Sequence, residues 1–68
     1  MDIENIFTYH PPTEEQLLHY EAIRRTAKNF ANVILANTPV GADQTAAIRK
    51  LREAVMTANA AIALDGKL

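Results

Sequence analysis

The stretch NTPVGAD, residues 37–43, decides the fold, because it separates two long segments that share the same helical periodicity. Pro39 pushes Thr38 out of helical geometry, so the first helix is predicted to end near Asn37. The short turn that follows brings consecutive helices side by side, and Asp43 is predicted to cap the second helix. The stretch therefore predicts an antiparallel helical hairpin.

On each side of this turn, apolar residues recur at alternating steps of three and four. Upstream, Thr13 opens a capping box with Gln16, and acids occupy the first turn, which predicts a helix over residues 13–37. Downstream, the second predicted helix covers residues 43–64 and stops at Asp65 and Gly66. The predicted apolar stripes are Tyr20, Ile23, Ala27, Phe30 and Ile34, then Ile48, Leu51, Val55, Ala58 and Ile62. The predicted fold class is all-α.

The chain is too small to rely on its own core. Its 68 residues make one domain, residues 1–68, and a unit of this size buries only about 60% of its unfolded surface. With no cysteine, neither a disulfide nor a thiolate metal site can stabilise it. The second helix also carries apolar residues on both flanks of its stripe, namely Ala47, Ala54, Ala61, Met56, Ala60 and Ala63. We therefore expect an obligate homo-oligomer.

The segment IFTYHPP, residues 6–12, concentrates aromatic residues immediately before two prolines. Consecutive prolines favour an extended conformation, so residues 1–12 are predicted to form an extended N-terminal arm. For Phe7 we favour a role as a strap that folds back over the hairpin. Tyr9 has two readings that the sequence leaves open, such a strap or a platform on which a nucleobase stacks.

Six of the seven basic residues lie between residues 24 and 52, and they surround a single acid, Asp43. Arg24 and Lys28 form a like-charge pair four residues apart, which costs a few tenths of a kcal/mol unless an anion lies between them. The alternative is that both side chains simply extend into water. Two further pairs join opposite charges at the same spacing, Glu21 with Arg25 and Arg49 with Glu53.

Several functional classes lack their usual sequence features. His10 and His19 do not have the spacing of a helical metal pair, and there is no glycine-rich phosphate loop, so we expect no catalysis, metal or cofactor. A pI near 6.0 argues against DNA binding, and the longest apolar runs are too short to span a membrane. The acidic start carries no secretion signal, which predicts a cytoplasmic protein. Two functional classes stay open at this point: a nucleic-acid-binding protein and a small helical inhibitor that docks on another protein.

Three strings, FTYHPP at residues 7–12, HYEAIR at 19–24 and EAVMTANAAIA at 53–63, resemble the phage anti-CBASS cyclic-oligonucleotide sponges. The resemblance covers roughly residues 6–63. It implies an all-helical homohexamer in the host cytoplasm that sequesters second messengers of bacterial immunity without cleaving them. The implied ligands are cyclic dinucleotides such as cGAMP, bound between protomers, and in several members cyclic trinucleotides, bound on the threefold axis.

The resemblance also assigns site residues. Tyr9 matches an aromatic residue that contacts the dinucleotide bases, Arg24 matches a basic residue for the phosphates, and Thr26 matches a position of the trinucleotide pocket. Thr57 stands where many relatives have tryptophan, and Leu64 lies near a position where they often have arginine, so dinucleotide binding is expected to be the stronger. The expected ligand-binding residues are Tyr9, His10, Pro11, Arg24, Thr26 and Lys28.

Overall fold

A computed structural model describes residues 2–9 and 11–65. They form three helices, α1 (Ile3–Phe7), α2 (Glu14–Asn37) and α3 (Ala42–Leu64), and include no strand. The two long helices pack against each other along the hairpin. The predicted all-α hairpin is confirmed.

The start of α2 follows the predicted capping box. The Thr13 hydroxyl accepts a hydrogen bond from the Gln16 backbone N–H at 3.1 Å, and the Gln16 side-chain oxygen accepts one from the Thr13 N–H at 3.0 Å. The Gln16 amide nitrogen also donates to the Ile62 carbonyl of α3 at 3.0 Å. A single side chain therefore caps α2 and links the first turn of α2 to the last turns of α3.

The turn between the long helices differs from the prediction in its cap. The N-cap of α3 is Gly41, and Asp43 lies inside the first helical turn, so the prediction that Asp43 caps the helix is wrong. Its charge still lies near the positive end of the helix dipole. The turn is held instead by Gln44, whose side-chain nitrogen donates to the Thr38 carbonyl at 3.2 Å and to the Thr38 hydroxyl at 3.1 Å.

The far end of α3 is closed by Asp65. This residue adopts the left-handed conformation, with φ at 52° and ψ at 42°, and its N–H points at the carbonyls of Ala61 and Ile62. Aspartate is among the few residues other than glycine that visit this conformation readily. The predicted stop at Asp65 is confirmed, whereas Gly66 lies outside the described residues.

The N-terminal arm contains a helix, so the prediction of an arm extended throughout residues 1–12 is wrong. Asp2 caps α1 by accepting a hydrogen bond from the Asn5 backbone N–H at 3.0 Å, and α1 ends at Phe7, after which Thr8 is extended. Phe7 is 81% exposed, and α1 makes few contacts with the hairpin. The predicted strap is therefore wrong as well, because Phe7 does not cover the hairpin of its own chain.

No described residue is buried in a single chain. The predicted stripes face the seam between α2 and α3 and are half-buried, except that Phe30 is 54% exposed. The accessible surface is 5688 Å², compared with about 4200 Å² expected for a compact monomer of 7.5 kDa. The radius of gyration is 14.8 Å, compared with about 11 Å for a compact domain of this length. The hairpin thus exposes apolar surface that a globular monomer would bury.

Among the described residues, no helix combines the length and the apolar character needed to cross a membrane.

Candidate functional site

Two grooves run along the hairpin, one on each side of the seam. Both are lined by Ala27 of α2 and by Leu51 and Val55 of α3, which identifies these residues as the shared floor. The side chains that flank the floor differ completely between the two grooves. One groove is cationic and the other carries no charged residue.

The cationic groove has a volume of about 260 Å³ and brings together three basic residues. Arg24 and Lys28 reach it from α2, and Arg52 reaches it from α3. These three are the only residues with polar side chains along the groove, and all three are exposed. The remaining lining is apolar: Ala27, Ala31, Ile48, Leu51, Val55 and Met56. This arrangement combines positive charge with an apolar floor, which suits a ligand that has both anionic and flat apolar parts.

None of the three cations forms an ion pair with another described residue. In the part of the chain that the structure describes, the ion pair joins His19 and Glu15, whose atoms are 4.0 Å apart. The two opposite-charge pairs predicted from spacing, at residues 21 and 25 and at residues 49 and 53, do not form there. No acid lines the cationic groove. A bound anion would therefore relieve the repulsion between Arg24 and Lys28.

The neutral groove is larger, at about 430 Å³, and Thr26 lies in it. Phe30 lines the same groove, together with small residues of both helices such as Ala22 and Ala54. Thr26 is thus on the other side of the seam from Arg24 and Lys28. Of the residues expected to bind ligands, Thr26 therefore lies on one surface of the hairpin, and Arg24 and Lys28 lie on another.

The arm residues Tyr9 and Pro11 line neither groove of their own chain. Tyr9 is 82% exposed, and Pro11 is exposed as well. Arg24 lies eleven residues beyond Thr13, which corresponds to about 16 Å along the axis of α2. His10 lies outside the described residues. A single chain therefore brings Arg24 and Lys28 together but does not bring Tyr9 to them.

Sequence reasoning selected Arg24 and Lys28 of this groove as site residues, but it did not select Arg52 and Met56. Both were recognised, Arg52 as part of a basic region and Met56 as apolar excess. The usable signal is their spacing from Ile48, since steps of four and eight place all three on one side of α3. That side faces the α2 cations only because of the register that the turn imposes.

The described residues contain no group of three or more histidine, cysteine, aspartate or glutamate side chains that could hold a metal ion. Of the two positions that depart from the anti-CBASS pattern, Thr57 is exposed and Leu64 is half-buried. Neither lines the two grooves beside the seam.

Comparison with known proteins gives one family. Searches of the curated proteins and of the solved structures found no match to this chain. The model of the family described as Acb2/Tad1, hairpin domain, matches residues 1–63, which include α1, α2, all of α3 except its last residue, and both grooves. The chain therefore belongs to the Acb2/Tad1 hairpin-domain family, the anti-CBASS sponges for cyclic oligonucleotides.

Proposed function

We propose that this protein assembles into a homohexamer and sequesters cyclic dinucleotides, of the cGAMP type, without cleaving them. By holding these second messengers in the host cytoplasm, it would keep them from the immune effectors that they activate. The observation that carries the proposal is the cationic groove with its apolar floor, found in a chain of the sponge family.

The chemistry of the groove supports this ligand class. A cyclic dinucleotide presents phosphodiester anions and flat bases, and the groove offers Arg24 and Lys28 beside an apolar floor. Hydrogen bonds from arginine and lysine to phosphate are charge-assisted and about twice as strong as neutral ones. Among the described residues that line the groove, none is an acid, a histidine or a hydroxyl-bearing residue. Binding without hydrolysis is the outcome that the sponge family implies.

The exposure of Tyr9 supports a site shared between copies. Tyr9 is not at the cationic groove of its own chain, so the Tyr9 side chain of a neighbouring copy is the one proposed to stack on a bound base. A cyclic dinucleotide has two phosphates and two bases around an approximate twofold axis, which matches a site built from two identical protomers. Pro11 limits the freedom of the arm that carries Tyr9.

The exposed surface supports assembly. The chain exposes roughly 1400 Å² more than a compact monomer of its mass, and a stable interface covers about 800 Å² on each partner. The neutral groove offers a face that a second copy can cover without desolvating a charge. A hexamer with twofold and threefold axes would supply both dinucleotide and trinucleotide sites, the latter next to Thr26.

The ligand is tested by incubating the protein with a panel of cyclic di- and trinucleotides, removing free ligand, denaturing the protein and analysing the supernatant. Recovery of intact cyclic dinucleotide would support sequestration, while linear products would refute it. Light scattering from the isolated protein supplies the second test. A monomer of 7.5 kDa at micromolar concentration would contradict the assembly and favour an inhibitor that docks on a host protein.

The site is tested by Tyr9→Ala and Arg24→Ala. Tyr9→Ala is expected to lose about 1 to 3 kcal/mol per stacked base while the melting temperature of the free protein is unchanged. Arg24→Ala is expected to weaken binding and to leave the free protein neutral or slightly stabilised, because the repulsion from Lys28 is removed. Arg25→Ala is the matched control, since Arg25 is the adjacent exposed arginine and does not line the cationic groove. Equal losses for Arg24→Ala and Arg25→Ala would refute the assignment.

A further inference from the structure

The cationic groove is bounded by basic residues on both helices, not only on α2. Arg24 and Lys28 lie along one side, and Arg52 of α3 lies along the other, with Leu51 and Val55 on the floor between them. A ligand bound to the α2 cations over this floor would therefore meet a third positive charge. That charge comes from the helix that the family resemblance does not assign to dinucleotide binding.

Arg52 has no partner of opposite charge in the described chain. Its neighbour Glu53 lines a different surface, together with Arg49 and Lys50, and no acid lines the cationic groove. Arginine side chains on a helix surface commonly find an acid at a spacing of three or four, which stabilises the helix. Arg52 lacks this compensation and instead adds to the positive potential of Arg24 and Lys28.

The composition of the groove indicates which part of a ligand Arg52 would contact. The polar side chains of the groove are three cations, so it contains donors but no side-chain acceptor. Arginine donors can also recognise the O6 and N7 atoms of guanine, and such a contact would favour the guanine ligand, whereas binding a phosphodiester requires only donors and positive charge and is the same for every base. The guanidinium of Arg52 can also donate two parallel hydrogen bonds to one phosphate.

We propose that Arg52 is a third anion-binding residue of the dinucleotide site and that it contacts a ligand phosphate from α3. This inference rests on the proposed function and extends it, because it makes the ligand bridge the two helices of the hairpin. It predicts that the contribution of Arg52 is the same for ligands with different bases.

The test compares Arg52→Gln with Arg49→Gln. Both variants remove one positive charge from an exposed arginine of α3, but only Arg52 lines the cationic groove. Dissociation constants are measured by calorimetry for cyclic di-GMP and cyclic di-AMP, at low and at physiological salt. Arg52→Gln is expected to raise both constants about tenfold or more, as for a lost hydrogen bond to a charged group, with a weaker salt dependence than the unmodified protein. Arg49→Gln is expected to change them by less than about twofold, as for a distant exposed charge.

Three results would overturn the proposal. The affinity of Arg52→Gln could be unchanged, Arg49→Gln could lose as much affinity as Arg52→Gln, or the affinity could fall for only one of the two ligands. If Arg52→Gln alters the size of the assembly, Arg52→Lys decides, because it keeps the charge but loses the two parallel hydrogen bonds of the guanidinium. Weaker binding of both ligands by an Arg52→Lys assembly of normal size would then support the phosphate contact, whereas unchanged binding would count against the paired hydrogen bonds, since lysine alone would suffice. Failure of the unmodified protein to bind either ligand would instead refute the proposed function itself.

Discussion

Replacing Phe7 with alanine should weaken the assembly, because α1 cannot be stable by itself. A helix of five residues is far shorter than the roughly 12 to 15 residues at which isolated helices become marginally stable, and α1 makes few contacts with the hairpin. Its Ile3 and Phe7 are four residues apart and are 58% and 81% exposed, so they present an apolar face that the chain itself leaves uncovered. We expect a second copy to cover this face.

The size of the effect follows from the exposed fraction. Fully burying a phenylalanine side chain contributes about 1.5 to 3 kcal/mol. With 81% of Phe7 still exposed, coverage by a neighbour would contribute roughly 1.2 to 2.4 kcal/mol for each protomer. Phe7→Ala should then weaken each contact roughly 10- to 50-fold.

Sedimentation velocity over a dilution series measures this effect directly, since the variant should dissociate at higher concentration than the unmodified protein. Tyr9→Ala is the control, because Tyr9 has nearly the same exposure but lies beyond the end of α1. The reasoning would be refuted if Phe7→Ala and the unmodified protein kept the same size at every concentration. It would also be refuted if Tyr9→Ala dissociated just as readily, because α1 would then have no special part in the contact.

Two further predictions concern the ends of the hairpin and the second ligand. Gln16→Ala should lower the free energy of unfolding in urea by about 1 to 2 kcal/mol, because it removes both the hydrogen bond from the Thr13 N–H and the hydrogen bond to the Ile62 carbonyl. Gln16→Glu should lose only the hydrogen bond to Ile62. A change below about 0.5 kcal/mol for the alanine variant would contradict this prediction. Cyclic trinucleotides should bind more weakly than cyclic dinucleotides, because Thr57 and Leu64 depart from the pattern associated with the pocket near Thr26. Calorimetry that finds the reverse order would show that these departures do not matter.

The hairpin could be predicted from sequence because its signals are local and agree with one another. Three signals predict the same two long helices: the capping box at Thr13, the proline at position 39 and the two apolar stripes. The structure contains both helices. The cap of α3 was mispredicted because aspartate is a residue type that often caps helices, whereas Asp43 lies inside the first turn of α3 and not before it. Gly41 precedes the helix instead, and Gln44 holds the turn by reaching back to Thr38.

The helix in the arm was missed because Pro11 and Pro12 dominate the reading of residues 1–12. Their restraint acts on the residues next to them, and α1 ends at Phe7, well before the prolines. The sequence did contain one signal, because aspartate is a preferred N-cap residue, and Asp2 accepts the hydrogen bond from the Asn5 N–H that such a cap makes. A helix this short nevertheless has too few residues for periodicity to reveal it.

The cationic groove was only half predictable for a different reason. Arg24 and Lys28 share a face of α2 by spacing alone, and this pairing could be read from the sequence. Which residues of α3 face them depends on the register between the helices, and in the folded hairpin Leu51 and Val55 lie on the floor of both grooves. Arg52 could be recognised as part of the groove only once that register was known.

The separation of charge between the two faces explains how a hairpin without a buried core can serve as both scaffold and binding site. A second copy can cover the neutral groove at Phe30 without desolvating any charge, so association there is favoured by apolar burial alone. The groove at Arg24, Lys28 and Arg52 behaves differently, because burying three unpaired cations is costly until an anion accompanies them. On the proposed function, copies of the chain therefore associate through one face and leave the other open. The cyclic dinucleotide then supplies the negative charge that allows that second face to be enclosed.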